Sequence, residues 1–183
     1  MKTIIISVRY LFLMTILLGF IYPLFSSLAG GSLFSRRSSG SLVVIDGQVR
    51  GSELIGQSFS QEKYFWPRPS VTNYQAVGAG ASNRSATHKT LKEEVLSRRE
   101  KLGEKAPADL LYASASGVDP HISLEAAYFQ KERVMKSRGV SNEQLDQMID
   151  KTTDSRLLGF MGQVRVNVLE LNKLLDESQQ ERN

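Results

Sequence analysis

A carboxylate and an imidazole stand two residues apart in Asp119-Pro120-His121, with two hydroxyls, Ser114 and Ser116, just upstream. A serine, a base and an acid can together make an activated nucleophile. The same residues serve equally well without chemistry. Pro120 fixes its own φ and pushes Asp119 toward an extended conformation, from which a carboxylate accepts backbone N–H groups ahead of a helix that Ser123 caps. No segment supplies an evident oxyanion hole or second base, so the spacing predicts a turn and an interface rather than catalysis. Gly78 to Asn83 is a degenerate glycine loop, and no Gly-x-x-x-x-Gly-Lys-Ser/Thr run exists to cradle a phosphate. Asn167 and Asn172, within a helical apolar run, read as a cap and a buried tether. Without cysteine there is no thiolate nucleophile, disulfide or Cys-built metal site, and two histidines are too few for a three-His centre.

These residues must be positioned by a chain of 183 residues, 41% hydrophobic, which is enough for one ordinary domain. The apolar content is uneven. Tyr10 to Leu28 is a 19-residue run without a charge, and the first acidic residue is Asp46. As a helix that run spans about 28 Å, close to the ~30 Å hydrocarbon core of a bilayer. We read residues 1–29 as a transmembrane anchor, longer than the apolar part of a signal peptide; cleavage after Ala29 is the rival reading. Gly19 and Pro23 are tolerable in a membrane helix and suit a face that packs on other helices. Lys2 and Arg9 before the run, against Arg36 and Arg37 after it, slightly favour a cytoplasmic N-terminus with the rest outside the cytoplasm. Beyond Arg9, 21 basic residues are interleaved with 19 acidic ones. The pI near 9.4 is therefore no nucleic-acid footprint.

Residues 30–41 are Gly/Ser-rich and read as a flexible linker, followed by a soluble α+β domain over 42–183. Asp46-Gly47 between two β-branched runs predicts a hairpin, to which Leu54 to Phe59 can add a third strand. Tyr64 to Ser70, with Pro67 and Pro69, must be an ordered loop, its aromatics used in packing. About four helices follow. The first is capped by a Thr90–Glu93 box and ended by Gly103; the second runs from Ser123 to Arg138, stopped by Gly139, with Ala127, Tyr128, Val134 and Met135 inward. Ser141 and Gln144 box a short third helix. Val164 to Val166 is extended, and the last helix begins at about Asn167.

Several segments, in order, resemble the KdpC family, a subunit of bacterial high-affinity potassium-transporting ATPases. They are the single N-terminal span; Leu54-Ile55-Gly56-Gln57 with Phe59; Tyr64-Phe65 with Arg68-Pro69-Ser70; Ser82-Asn83; Ser116-Gly117 with Asp119-Pro120-His121-Ile122-Ser123; Arg133-Val134 with Arg138-Gly139; Gly159-Phe160 with Gly162; and Arg165-Val166-Asn167-Val168-Leu169 with Leu171-Asn172. Departures occur at Arg84-Ser85-Ala86, where the family usually has Leu-Gly-Pro, at Leu124 in place of a common proline, and at Gln163-Val164 in place of Glu-Pro.

The resemblance implies a non-catalytic accessory subunit that assembles with a potassium-selecting KdpA, an ATP-hydrolysing KdpB and a small KdpF subunit in the bacterial inner membrane. It implies lipid contact, no stably bound cofactor, and ATP only through the complex; a catalytic-chaperone role that raises ATP affinity is proposed for the family. It gives Gly56, Gln57, Arg68, Pro69, Ser70, Ser82, Asn83, Asp119, Pro120, His121, Ser123, Arg165, Asn167 and Asn172 structural or interface roles. Two other classes stay open from the residues themselves: a membrane-anchored or secreted serine hydrolase using Ser114 or Ser116 with His121, and an extracytoplasmic binding domain.

Overall fold

The computed structural model describes residues 1–45 and 47–180, and it divides into two compact units, Met1–Arg50 and Gly51–Asn183. That division falls later than the 41/42 boundary expected from composition.

In the first unit, α1 (Lys2–Ile16), a π-helical stretch (Leu17–Ile21) and α2 (Tyr22–Leu33) form one apolar helix of 32 residues, long enough to cross a membrane and with none of its residues buried. The wide turn has a local cause. Pro23 has no N–H to return to the carbonyl one turn back, and the Tyr22 N–H reaches five residues back, to the Leu17 carbonyl. The helix also runs past Gly30 and Gly31, and α3 (Ser35–Ser38) adds another turn, so much of the segment read as a linker is helical. Extending a long helix through glycine costs only about 1 kcal/mol per residue, because the expensive nucleus already exists. Strands β1 (Leu42–Ile45) and β2 (Gln48–Ser52) pair as the hairpin reading expects; Gly47 has φ +73°, and Asp46 lies outside the described residues.

The second unit contains α4 (Lys89–Leu102), α5 (Ala108–Leu111), β3 (His121–Ser123), α6 (Leu124–Arg138), α7 (Asn142–Lys151), β4 (Thr153–Asp154), β5 (Arg165–Asn167) and α8 (Val168–Gln180). It is an α+β arrangement. Its sheet is antiparallel in the order β3-β5-β4, with Ile122 opposite Val166 and Thr153 also opposite Val166. The expected third strand at Leu54 to Phe59 does not form; that segment is turn and irregular chain. Helices α6 and α8 pack on β5, and α7 packs on both helices. The core between them includes Ile122, Val134, Leu145, Ile149, Leu171 and Leu175.

Helix ends follow local chemistry where a side chain is free to cap. The Ser123 hydroxyl accepts the Ala126 N–H, both bonds of the Ser141–Gln144 box are present, and Gly139 ends α6 in the left-handed region at φ +64°. The Thr90–Glu93 box is absent: α4 begins two residues earlier than that box requires, at Lys89 with His88 at the N-cap position, which places Thr90 inside the first turn. The inward face of α6 is also corrected. Tyr128 is exposed, and Ala126, Gln130 and Arg138 are buried with Ala127 and Val134.

The buried polar residues hold the aromatic loop. Phe65 is completely buried, and the prolines that follow keep its segment out of any sheet, so its main-chain groups need side-chain partners. Asn172 provides both: its Oδ1 accepts the Phe65 N–H at 2.8 Å and its Nδ2 donates to the Phe65 carbonyl at 3.0 Å. Gln130 repeats this at Trp66, accepting from N–H at 2.7 Å and donating to the carbonyl at 3.1 Å. Arg138 donates to the Lys63 carbonyl at 2.7 Å and to Asp176 at 2.7 Å, its guanidinium 4.7 Å from the Tyr64 ring centre.

Replacing Asn172 by Leu keeps most of the volume and orphans both main-chain groups of Phe65. At about 1–3 kcal/mol for each unsatisfied buried group, the variant is expected to lose on the order of 3 kcal/mol. Asn167→Ala, which removes a helix cap, should cost about 1 kcal/mol. Denaturant unfolding followed by Trp66, the sole tryptophan, checks both; equal midpoints for Asn172→Leu and the parent would overturn the tether.

Candidate functional site

The register of β3 on β5 sets Ser123 opposite Arg165, and β4 sets Asp154 opposite the same arginine. One end of the small sheet therefore gathers charged side chains. The aromatic loop brings Arg68, and α5 brings Asp109, to a cavity of about 330 Å³ that Asp119, His121, Ser123 and Arg165 also line.

Acid and base alternate through the cluster. Asp109 Oδ2 accepts the Ser123 N–H at 2.7 Å, and its other oxygen lies 4.0 Å from Arg68 Nε. Arg68 Nη1 donates to Asp119 Oδ2 at 3.0 Å. Asp119 Oδ1 accepts the His121 N–H at 3.0 Å, as the Asp-Pro-His spacing predicts, and lies 3.5 Å from the His121 ring Nδ1. The ring's Nε2 is 3.9 Å from Asp154 Oδ2, which accepts from Arg165 Nε at 3.1 Å. Burial alone would raise the Asp119 carboxyl, but the hydrogen bonds from His121 and the Arg68 guanidinium outweigh it and hold it below the usual carboxylate range. A carboxylate bound in this way is a poor proton carrier at neutral pH.

The surrounding chain is fixed by small residues. Gly56 donates to the Val118 carbonyl at 2.8 Å, and a Cβ there would stand 2.5 Å from the Asp119 carbonyl oxygen, so only glycine fits. Ser70 Oγ donates to the Gly117 carbonyl at 2.5 Å and accepts from the Thr72 and Tyr74 N–H groups. Tyr74 in turn donates to the Arg68 carbonyl at 2.7 Å, and burial pushes its phenol up to about 12. Ser114 Oγ accepts the Gly117 N–H and Ser116 Oγ accepts the Val118 N–H. Among the described residues neither serine bonds His121, so the Ser–His pair of the hydrolase reading is not brought together.

Other expected positions lie elsewhere. Pro69 accepts the Ser114 N–H and lines a second, more apolar hollow of about 340 Å³ with Trp66, Tyr74 and Arg98. Gln57 stands beside Gly51, where a Cβ would collide with its amide. Ser82 and Asn83 stay in an irregular loop away from the cavity, Asn83 with φ +52°. The neighbouring departure at Arg84 pairs with Glu94 of α4 at 2.5 Å, and that hydrogen bond draws the Glu94 carboxyl down. Asn167 caps α8, accepting from Leu169 and Glu170, and donates to the Glu53 carbonyl at 2.8 Å. Gly19 falls in the π-helical stretch and Pro23 in the first turn after it. Leu124 is the first residue of α6, and Gln163-Val164 immediately precede β5, so two departures sit at element starts. Sequence reasoning missed Asp109, Asp154, Gln130 and the buried role of Arg138, which it read only as a helix end and a family match. The last two had a visible signal: both lie four residues from Val134 on an otherwise apolar face.

Comparison with known proteins gives one answer. The family model for KdpC, described as K+-transporting ATPase, c chain, matches residues 4–177. A potassium-transporting ATPase KdpC subunit of Leptospira interrogans is 45% identical over 177 residues, covering 93% of this chain and 92% of the relative. One of Geotalea uraniireducens is 42% identical over 186 residues, covering 97% and 98%. One of Rhodopseudomonas palustris is 41% identical over 189 residues, covering 93% and 95%.

Because the Asp119 pKa is lower in the folded chain than in the unfolded one, its contribution to stability is complete above the ordinary carboxylate value and is lost as pH falls through the depressed one. Melting temperatures measured from pH 7 downward should fall below about pH 4. Asp119→Asn should lower stability at neutral pH and flatten that acid limb; an unchanged limb would remove Asp119 from the ion-pair network.

Proposed function

The chain belongs to the KdpC family of K+-transporting ATPase c chains, and from that premise we propose that it is a non-catalytic, single-span subunit that assembles with KdpA, KdpB and KdpF. The observation that carries the reading is the reach of the family match, which runs from the apolar helix to α8 and so takes in both units. A lone span cannot enclose a pore, and the sequence holds no phosphate-cradling loop. Potassium selection and ATP hydrolysis accordingly belong to the partner subunits. The Asp119–His121 cluster supports the same division of labour, since its ionisable groups are engaged with one another rather than with a nucleophile.

In this proposal the N-terminus is cytoplasmic and the second unit lies outside the bacterial inner membrane. An outside domain meets little ATP. Its role is then structural or at the ion-access side of the complex, and any effect on ATP affinity passes through the subunits; no cofactor is held stably by the chain itself. Arg165, half exposed at the end of the acid–base series, is the cluster member best placed to meet a partner.

The topology is tested with single cysteines at Ser38 and Glu104 in this cysteine-free chain, treated in intact cells with a membrane-impermeant thiol reagent. Both should react; protection of both reverses the orientation. The role of His121 is tested in the assembled complex. His121→Ala should weaken stability or assembly, while complex that forms keeps ATPase turnover within roughly tenfold of the parent. Normal assembly with a loss beyond ~100-fold, the scale of a general acid or base, would reopen catalysis.

A further inference from the structure

The turn between β4 and β5 exposes a run of apolar side chains. Leu157, Leu158 and Phe160 are 67%, 77% and 71% exposed, and Met161 is 50% exposed. This is not a frayed end. The Leu157 N–H donates to the Met161 carbonyl at 2.8 Å and the Met161 N–H to the Leu157 carbonyl at 3.0 Å, closing a tight bridge. Leu158 sits at φ +55°, a conformation that a leucine side chain disfavours, next to Gly159 at +81°. The tip joins two paired strands and is presented as an ordered, protruding apolar cluster of a kind that monomeric soluble surfaces rarely carry.

We propose that this tip is a second membrane contact, in which Leu157, Leu158, Phe160 and Met161 enter the interfacial layer of an anionic bilayer and Arg156 meets lipid phosphates. Charge selects lipid over other apolar partners. No carboxylate occurs between Asp154 and Glu170, whereas Arg156 flanks the tip and is exposed. Apolar and aromatic side chains bordered by a cation suit the interface of an anionic membrane. A lipid surface is also the one surface that a chain with its own spanning helix always has nearby. The inference rests on the membrane anchorage proposed above and not on the identity of the pump's other subunits.

The full chain, carrying Leu158→Cys labelled with an environment-sensitive fluorophore, is reconstituted into phosphatidylglycerol–phosphatidylethanolamine vesicles. Brominated acyl chains should quench this label and shift its emission to the blue. They should leave a label on Glu104→Cys unaffected. Adding Phe160→Asp, a change at an exposed site that leaves melting unaltered, should abolish the quenching, and phosphatidylcholine vesicles should weaken it. A chain that fails to float with the vesicles overturns the anchor and the proposal with it. A chain that floats with the label at 158 unquenched overturns the tip contact alone, and protection of that label only when the other subunits are added assigns the tip to a protein surface instead.

Discussion

A buried main chain that cannot join a sheet must find its hydrogen bonds elsewhere, and that constraint organises the second unit. Phe65 fills the core, but Pro67 and Pro69 deny its segment a strand partner. Asn172 of α8 and Gln130 of α6 each present an amide with one donor and one acceptor, the same pair a neighbouring strand would offer. Both helices are thereby fixed in rotation as well as position. Arg138 fixes the far end, bridging Lys63 and α8 from within the protein. Removing one partner leaves its counterpart desolvated and unpaired, which costs more than the bond itself contributes.

The charged cavity follows from this frame. Arg68 is three residues after Phe65, so the tether that seats the aromatic ring also delivers the guanidinium to Asp119. The sheet delivers His121 and Arg165 from segments more than forty residues apart. Mutual pairing within the cluster keeps the cost of half-burying these charges low. It also ties the loop, α5 and the sheet to one another, so a disturbance at one is felt by all three.

Features encoded within a few residues were legible in the sequence. The Ser123 cap, the Ser141–Gln144 box, Gly139, the Asn167 cap and the Asn172 tether each depend on neighbours or on an amide placed on an apolar helix face. The family resemblance was legible too, because its motifs lie where backbone contacts leave no alternative, as at Gly56 against Asp119. The β3-β5-β4 sheet was not, since strands of two or three residues leave no period to detect and their pairing is non-local. Leu54 to Phe59 carries strand-like residues, but the Leu54 and Ile55 N–H groups turn back to Ser52 and the Gly56 N–H goes to Val118. Thr90 and Glu93 had the right spacing, yet α4 starts two residues early. Asp109 and Asp154 join the cluster only through tertiary placement, and no local pattern marks them.

The wide turn at Leu17–Ile21 changes the angular bookkeeping of the apolar helix. Successive residues of an α-helix are about 100° apart around the axis, so one additional residue in a turn rotates everything beyond it by roughly that angle relative to everything before. A partner helix aligned with a stripe through α1 would therefore find that stripe displaced on α2. The two halves of one span can thus address different neighbours, and the phase between them is set at the residues just before Pro23.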